Sequence, residues 1–259
     1  MTITEKQLKQ ISRLKQRKYR LQERMFLVEG VRPVDELLKS NYQVEHILVC
    51  EAELSETGQK FVEEIDERLL TRIPTRKFRN LSTTRSSQGV VATAHFPSDS
   101  RVALEKFKNL VLIAQEISDP SNLGSLVRSA TAFNCGLLIG EGSADIYSAK
   151  VIASSAGIIF RSQVERTDNL AQRLRDFKSA GYHLWGAESG GEQLDKIRRI
   201  PSRLAVVVGN EAFGIDGQHH AVLDRIIRIP IVRQVESLSA PVAGAIMIYE
   251  LSRRMNLVK

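Results

Sequence analysis

The sequence predicts an α/β protein whose larger, second half carries a mainly parallel sheet, and three observations lead there. First, five continuous apolar runs recur between residues 110 and 229: Leu110–Ala114, Gly136–Ile139, 182–185, Leu204–Val208 and 226–229. Second, helical periodicity fills the intervals near 122–133, 148–158 and 169–180. Runs that are apolar on both faces and alternate with helices describe a parallel sheet covered on both sides. Third, the polar, turn-rich stretch Pro97-Ser98-Asp99-Ser100 separates this region from a smaller α/β unit upstream. The expected domains are therefore 1–97 and 98–259.

The elements follow in order. Residues 5–24 read as one amphipathic helix, with Leu8, Ile11, Leu14 and Leu21 at helical spacing. A βαβ-like pattern comes next: a strand at Phe26-Leu27-Val28, a helix through Val34-Asp35-Glu36-Leu37-Leu38 and a strand at Ile47-Leu48-Val49. A helix over 56–67 and a strand at Val90-Val91-Ala92-Thr93-Ala94, after the turn Ser86-Ser87-Gln88-Gly89, complete the first unit. The second unit contains the five runs above and closes with a helix over 240–255.

A chain of 259 residues and 29.0 kDa can bury two modest cores. At 42% hydrophobic and 26% charged residues it has the composition of a soluble globular protein. No apolar run approaches the roughly eighteen residues of a membrane span, and the N-terminus lacks a secretory pattern. Cys50 and Cys135 lie far apart in apolar company and read as buried thiols of a reducing cytoplasm. Most of the +7 net charge is local: residues 1–24 hold eight basic side chains (Lys6, Lys9, Arg13, Lys15, Arg17, Lys18, Arg20 and Arg24) against Glu5 and Glu23. A polyanionic partner accounts for that excess. A solvated helix face also would, and an anionic membrane surface fits less well because the apolar stripe is thin.

In an open parallel sheet, ligands sit outside the carboxyl ends of the strands, so the segments just after strands carry the information. After Leu110–Ala114 comes Asp119-Pro120-Ser121-Asn122-Leu123-Gly124-Ser125-Leu126-Val127-Arg128. Asn122 suits an N-cap. Arg128, four residues past Gly124, shares that glycine's helix face, where it would meet a phosphate or a ribose hydroxyl; a surface arginine on a capped helix explains the segment as well. After Leu204–Val208 comes Gly209-Asn210-Glu211-Ala212-Phe213-Gly214. A strand-end glycine lets a ligand touch bare backbone, and a carboxylate two residues on accepts from a hydroxyl or amine; an ordinary strand-to-helix turn has the same outline. After 226–229 come Pro230 and then Glu236-Ser237-Leu238-Ser239-Ala240-Pro241, with Ser239 as N-cap and Pro241 in the first turn of the last helix.

Several chemistries lack their residues. Gly140-Glu141-Gly142 misses the third glycine of a dinucleotide loop, and no phosphate-loop sequence occurs. The five histidines do not pair with cysteines or carboxylates at metal spacing, and no serine sits in a nucleophile-elbow sequence.

Taken together, the three post-strand segments resemble the signature of the SpoU-type (SPOUT superfamily, TrmH-like) RNA ribose 2′-O-methyltransferases. Asn122, Gly124 and Arg128 match the first motif; Gly209, Asn210, Glu211 and Gly214 the second; Ile229, Pro230, Ser237, Leu238 and Ala243 the third. Phe26-Leu27-Val28-Glu29-Gly30, Gln88-Gly89, Lys150-Val151 and Ser155-Ala156-Gly157 also look like the family. The resemblance implies a C-terminal trefoil knot, an exception to the rule against knots. It implies S-adenosylmethionine as cofactor, held by Gly209, Ile229 and Leu238 with help from the Gly186-Ala187 loop. It implies a ribosomal-protein-like RNA-binding front domain and a homodimer, formed through the C-terminal domain, with the catalytic arginine acting across the interface. No metal and no membrane are implied. The expected setting is cytoplasmic, with ribosomal RNA of the 23S type ahead of tRNA as substrate.

On this resemblance Arg128 contacts the ribose and its phosphate, Asn122 and Glu211 brace the site, and Ser237 and Ser239 orient the ribose or the loop. Ser239 departs from the family, which has Asn there. A hydroxyl lacks the reach of an amide and its paired donor and acceptor, which bears on activity or on placement of the target ribose. The competing readings are a catalytically weakened RNA-binding paralogue and a base methyltransferase of the same fold.

Overall fold

The structure is a computed structural model that describes residues 3–84, 88–98, 101–210 and 212–258. The chain divides into two compact units, Met1–Ser98 with Asp145–Arg161 and Asp99–Ala144 with Ser162–Lys259. Two residues of the predicted 86–89 turn, Ser86 and Ser87, lie outside the described residues, as do Asp99 and Ser100 of the polar break.

In the first unit, strands β1 (Met25–Glu29), β2 (Val44–Val49), β3 (Leu70–Arg72) and β4 (Val90–His95) form one sheet in the order β1-β4-β2-β3. β4 runs antiparallel to both β1 and β2. The predicted βαβ pattern is therefore split: β1 and β2 are parallel, but β4 inserts between them.

The N-terminal segment is two helices, α1 (Glu5–Arg13) and α2 (Arg17–Glu23), not the single helix that periodicity predicts. The break has an identifiable cause. Arg20 is 5% exposed, and its guanidinium donates to the carbonyls of Leu14 and Lys15 at 2.8 Å each. Carbonyls freed at the end of a helix need partners, and Arg20 supplies them while pairing with Asp145 at 2.6 Å. Leu8, Ile11 and Leu14 pack into a core with Leu27, Leu48, Phe78 and Leu81.

Helix α3 (Val31–Leu38) follows β1. Helix α4 (Glu56–Glu63) is capped by Ser55 and stops earlier than the predicted 67, its end tightening into i→i+3 bonds before a short 3₁₀ turn leads into β3. β3, at three residues, and α5 (Thr75–Arg79) are too short to display a period. The segment 145–161 contributes α7 (Ala149–Ser154) and the rings of Tyr147 and Phe160, which join Phe96 and Phe26 in a stack with centroids 4.4–5.6 Å apart. The predicted 148–158 helix ends at Ser154 because Ala156 and Gly157 turn left-handed.

The second unit is a six-stranded, wholly parallel sheet. It comprises β5 (Leu110–Ala114), β6 (Gly136–Ile139), β7 (Val164–Arg166), β8 (His183–Gln193), β9 (Leu204–Val208) and β10 (Arg225–Arg228), in the order β10-β8-β9-β5-β6-β7. Helices α6 (Pro120–Ala132), α8 (Leu170–Ser179), α9 (Gly217–His220) and α10 (Ala240–Arg254) complete it.

Three differences from expectation matter for the site. Strand β8 is longer than the apolar run 182–185: His183–Ala187 pair with β9, and the polar remainder pairs with β10 beyond a register shift. Helix α6 begins at Pro120, and its N-cap is Asp119, not Asn122; Asp119 accepts from the Ser121 and Asn122 amides at 2.6 and 3.1 Å. Proline at the first helical position lacks only an N–H that would have no partner there, so the cap moves upstream. β10 ends at Arg228, leaving Ile229 just beyond the strand.

Cys50 and Cys135 are buried and unpaired, and burial pushes the Cys135 thiol above its ordinary pKa range. No helix among the described residues is long and apolar enough to cross a membrane.

Candidate functional site

Strand order sets β10, β8 and β9 side by side. In an open parallel sheet, ligands sit outside the carboxyl ends of the strands. A cavity of about 580 Å³ lies among the middle of β8, where its pairing with β9 stops, the ends of β9 and β10 and the loop before α10. Apolar side chains of Val208, Ile229, Leu238 and Met247 line it, together with Ala187, Glu188, Gly209 and Ser237. Segments more than forty residues apart in sequence thus meet in one space because a parallel sheet brings its strand ends to one edge.

Gly209 is the point of closest backbone approach. A Cβ there would lie 2.2 Å from the carbonyl oxygen of Gly214, so only glycine fits. Gly214 itself has φ +69°, which favours glycine again. Between them Asn210 closes a tight loop. Its amide and the Gly214 carbonyl pair at 3.0 Å, and the reverse bond is 2.9 Å. Its side chain accepts from the Ala212 amide at 2.8 Å and donates to the Glu116 carbonyl at 3.1 Å, tying the loop to the segment after β5.

Of the residues that the sequence singles out, Gly209, Ile229, Leu238, Ala187 and Ser237 line the cavity. Asn122, Arg128 and Ser239 do not. Asn122 is half-buried in the first turn of α6, and Arg128 is exposed two turns on. Ser239 occupies the N-cap position of α10 but makes no side-chain capping bond, and it is exposed. Glu211 lies outside the described residues.

Sequence reasoning missed three residues here. Glu188, in the polar continuation of β8, lines the cavity and pairs with His220 at 3.3 Å. Gln115 and His219 are buried behind the Gly209–Gly214 loop. A glutamine ending a buried strand is the one signal that pointed there; His219 gave none. Among the described residues no group of three metal-ligating side chains occurs.

Comparison with known proteins adds the following. Residues 109–249 match the SpoU rRNA Methylase family, and residues 5–92 match an MRM3-like substrate binding domain. A 23S rRNA (guanosine(2553)-2′-O)-methyltransferase of Bacillus subtilis (strain 168) is 30% identical over 251 residues, covering 94% of this chain and 95% of that protein. A solved RNA 2′-O ribose methyltransferase is 27% identical with a TM-score of 0.84, over 100% of both chains. The SpoU methyltransferase AviRb from Streptomyces viridochromogenes, solved with the cofactor AdoMet, shares the fold at 24% identity and a TM-score of 0.81, covering 99% of this chain and 100% of that one.

Proposed function

The chain belongs to the SpoU rRNA methylase family, and from that premise we propose that it moves a methyl group from S-adenosylmethionine to a ribose 2′-oxygen of ribosomal RNA. One observation carries the reading: two of the three post-strand segments, the one after β9 at 208–210 and the one after β10 at 228–229 and 237–238, line one cavity beside Ala187 and Glu188 of β8. The 23S rRNA ribose methyltransferase of B. subtilis, matching over nearly the full length, supports ribosomal RNA ahead of tRNA and ribose ahead of base.

The cavity fits an adenosyl group. Its volume suits a ligand of that size, its walls set apolar side chains such as Val208, Ile229 and Leu238 beside polar ones such as Glu188 and Ser237, and Gly209 offers bare backbone where any side chain would collide. Gly209, Ile229, Leu238 and Ala187 hold the cofactor, largely by their backbone groups. When bound, S-adenosylmethionine supplies an electrophilic methyl carbon on a sulfonium.

A ribose hydroxyl is a weak nucleophile and must be aligned and eased of its proton. Arg128 contacts that ribose and the adjoining phosphate, and its fixed positive charge lowers the cost of the developing oxyanion. Asn122 and Glu211 brace the site, and Ser237 and Ser239 orient the ribose or the loop. Arg128 stands outside the cavity of its own chain, which fits a homodimer in which it acts across the interface. Helix α10 is suited to that contact: Val242, Ile246 and Tyr249, at helical spacing, are 46%, 40% and 48% exposed. The trefoil knot of the family and a cytoplasmic setting belong to the same reading.

Calorimetry with S-adenosylhomocysteine tests the cofactor site. One molecule per chain is the expected stoichiometry, and no binding at millimolar ligand would contradict the reading.

A further inference from the structure

The back of the cavity wall contains a buried polar relay that the methyl-transfer reading does not use. Gln115, directly after β5, is 2% exposed, and His219, in the short helix α9, is 3% exposed. The Gln115 side chain touches three groups. Its Nε2 donates to the Gly214 carbonyl at 3.4 Å, and its Oε1 accepts from the Asp216 amide at 3.3 Å and from Nδ1 of His219 at 2.8 Å.

The donor and acceptor roles are mutually determined. A backbone amide can only donate, so the Gln115 atom facing Asp216 is the oxygen, and the ring nitrogen on that same oxygen must be the donor. His219 is therefore the Nδ1–H tautomer. Its Nε2 is buried and has no hydrogen-bond partner among the described residues. A buried imidazole with one nitrogen unpartnered among the described residues makes its polar contact through the other.

What the relay holds is the Gly214 carbonyl. That oxygen also accepts from Asn210 and is the atom that a Cβ on Gly209 would strike. Displacing it shifts the bare backbone lining the cavity. We propose that Gln115 and His219 are positioning residues for the cofactor: His219 fixes the Gln115 amide, Gln115 fixes the Gly214 carbonyl, and the carbonyl sets the wall at Gly209. Neither side chain touches the ligand. The inference rests on the reading of this cavity as the S-adenosylmethionine site.

The test uses the full chain, S-adenosylhomocysteine as probe, and the variants His219→Leu and His219→Asn. Leucine removes the donor; asparagine carries an amide nitrogen close to the place of Nδ1. His219→Leu should weaken binding about tenfold, the upper scale of one buried hydrogen bond lost. His219→Asn should recover affinity to within about threefold of the native protein. Turnover at saturating cofactor should stay near the native rate in both. Equal affinity in all three proteins overturns the proposal, as does equal weakening in both variants. Should the leucine variant fail to fold, the asparagine variant and ring ¹⁵N shifts of His219 in the native protein decide. Shifts of an Nε2–H tautomer would contradict the relay without any ligand present. If the native protein itself binds no S-adenosylhomocysteine, the cofactor reading falls and takes this inference with it; unchanged variant affinity beside tight native binding removes the inference alone.

Discussion

Arg128 and Gly209 carry the opposite ends of the proposed chemistry, and their surroundings differ accordingly. Gly209 packs so closely that a Cβ on it would strike the Gly214 backbone, whereas Arg128 is exposed on α6. A residue that stabilises charge only as the reaction proceeds should affect turnover and leave cofactor binding alone. Arg128→Ala should therefore lower turnover by roughly 10²–10³-fold, as removal of one electrostatic donor does elsewhere. Its affinity for S-adenosylhomocysteine should match that of the native protein in the same calorimeter. Loss of binding with turnover per bound cofactor intact would assign Arg128 to the pocket instead. At this scale the sequence was readable where backbone chemistry demands a particular residue, as at the strand-end glycine and at Ile229 beside Pro230. It was unreadable where a role depends on a partner distant in sequence: nothing near His219 announces Gln115, 104 residues away. Asn122 was misread as a cap because Asp119, three residues earlier and followed by proline, serves better.

The paired helices α1 and α2 show how far a charge pattern can be taken. Of the eight basic side chains before residue 25, Arg20 is buried against Asp145 and caps the end of α1, so it is not available to a polyanion. Lys6, Lys9, Arg17 and Lys18 are exposed. The buried face of α1, through Leu8 and Ile11, belongs to the core, so deleting the segment would damage the first unit and say little about charge. Replacing Lys6, Lys9, Arg17 and Lys18 by glutamine keeps the helices and removes four charges. Each phosphate neutralised on duplex RNA should contribute a salt slope of about 0.9 on a log–log plot, and on single strands about 0.7. The variant should lose about two units of slope or more in RNA binding, with cofactor affinity unchanged. An identical slope would mean that these side chains are only solvated. Long apolar strands were legible at this scale: Leu110–Ala114, Gly136–Ile139 and Leu204–Val208 have the bounds that the sequence predicts. Three-residue strands such as β3 and β7 were not, since a period needs several residues to appear, and the polar half of β8 was hidden because pairing, not burial, defines it.

For the molecule as a whole, the chain leaves its second unit at 144, builds α7 and two core aromatic residues into the first, and returns at 162. Linear reading sees one polar break and no such excursion, because apolar periodicity does not say which core a helix joins. The same limit applies to the order of strands: five apolar runs predict a parallel sheet but not that β9 inserts between β5 and β8. That insertion creates the edge where the proposed chemistry takes place. The central claim, methyl transfer to a ribose, is tested most directly by the position of the methyl group in the product. Purified full-length protein is incubated with unmodified ribosomal RNA and S-adenosylmethionine labelled in the methyl group, and the RNA is hydrolysed with alkali. A methylated 2′-oxygen blocks cleavage at its own phosphodiester, so the account predicts label in alkali-stable dinucleotides. Label recovered in mononucleotides with a methylated base, or none transferred while one S-adenosylhomocysteine binds per chain, would contradict it.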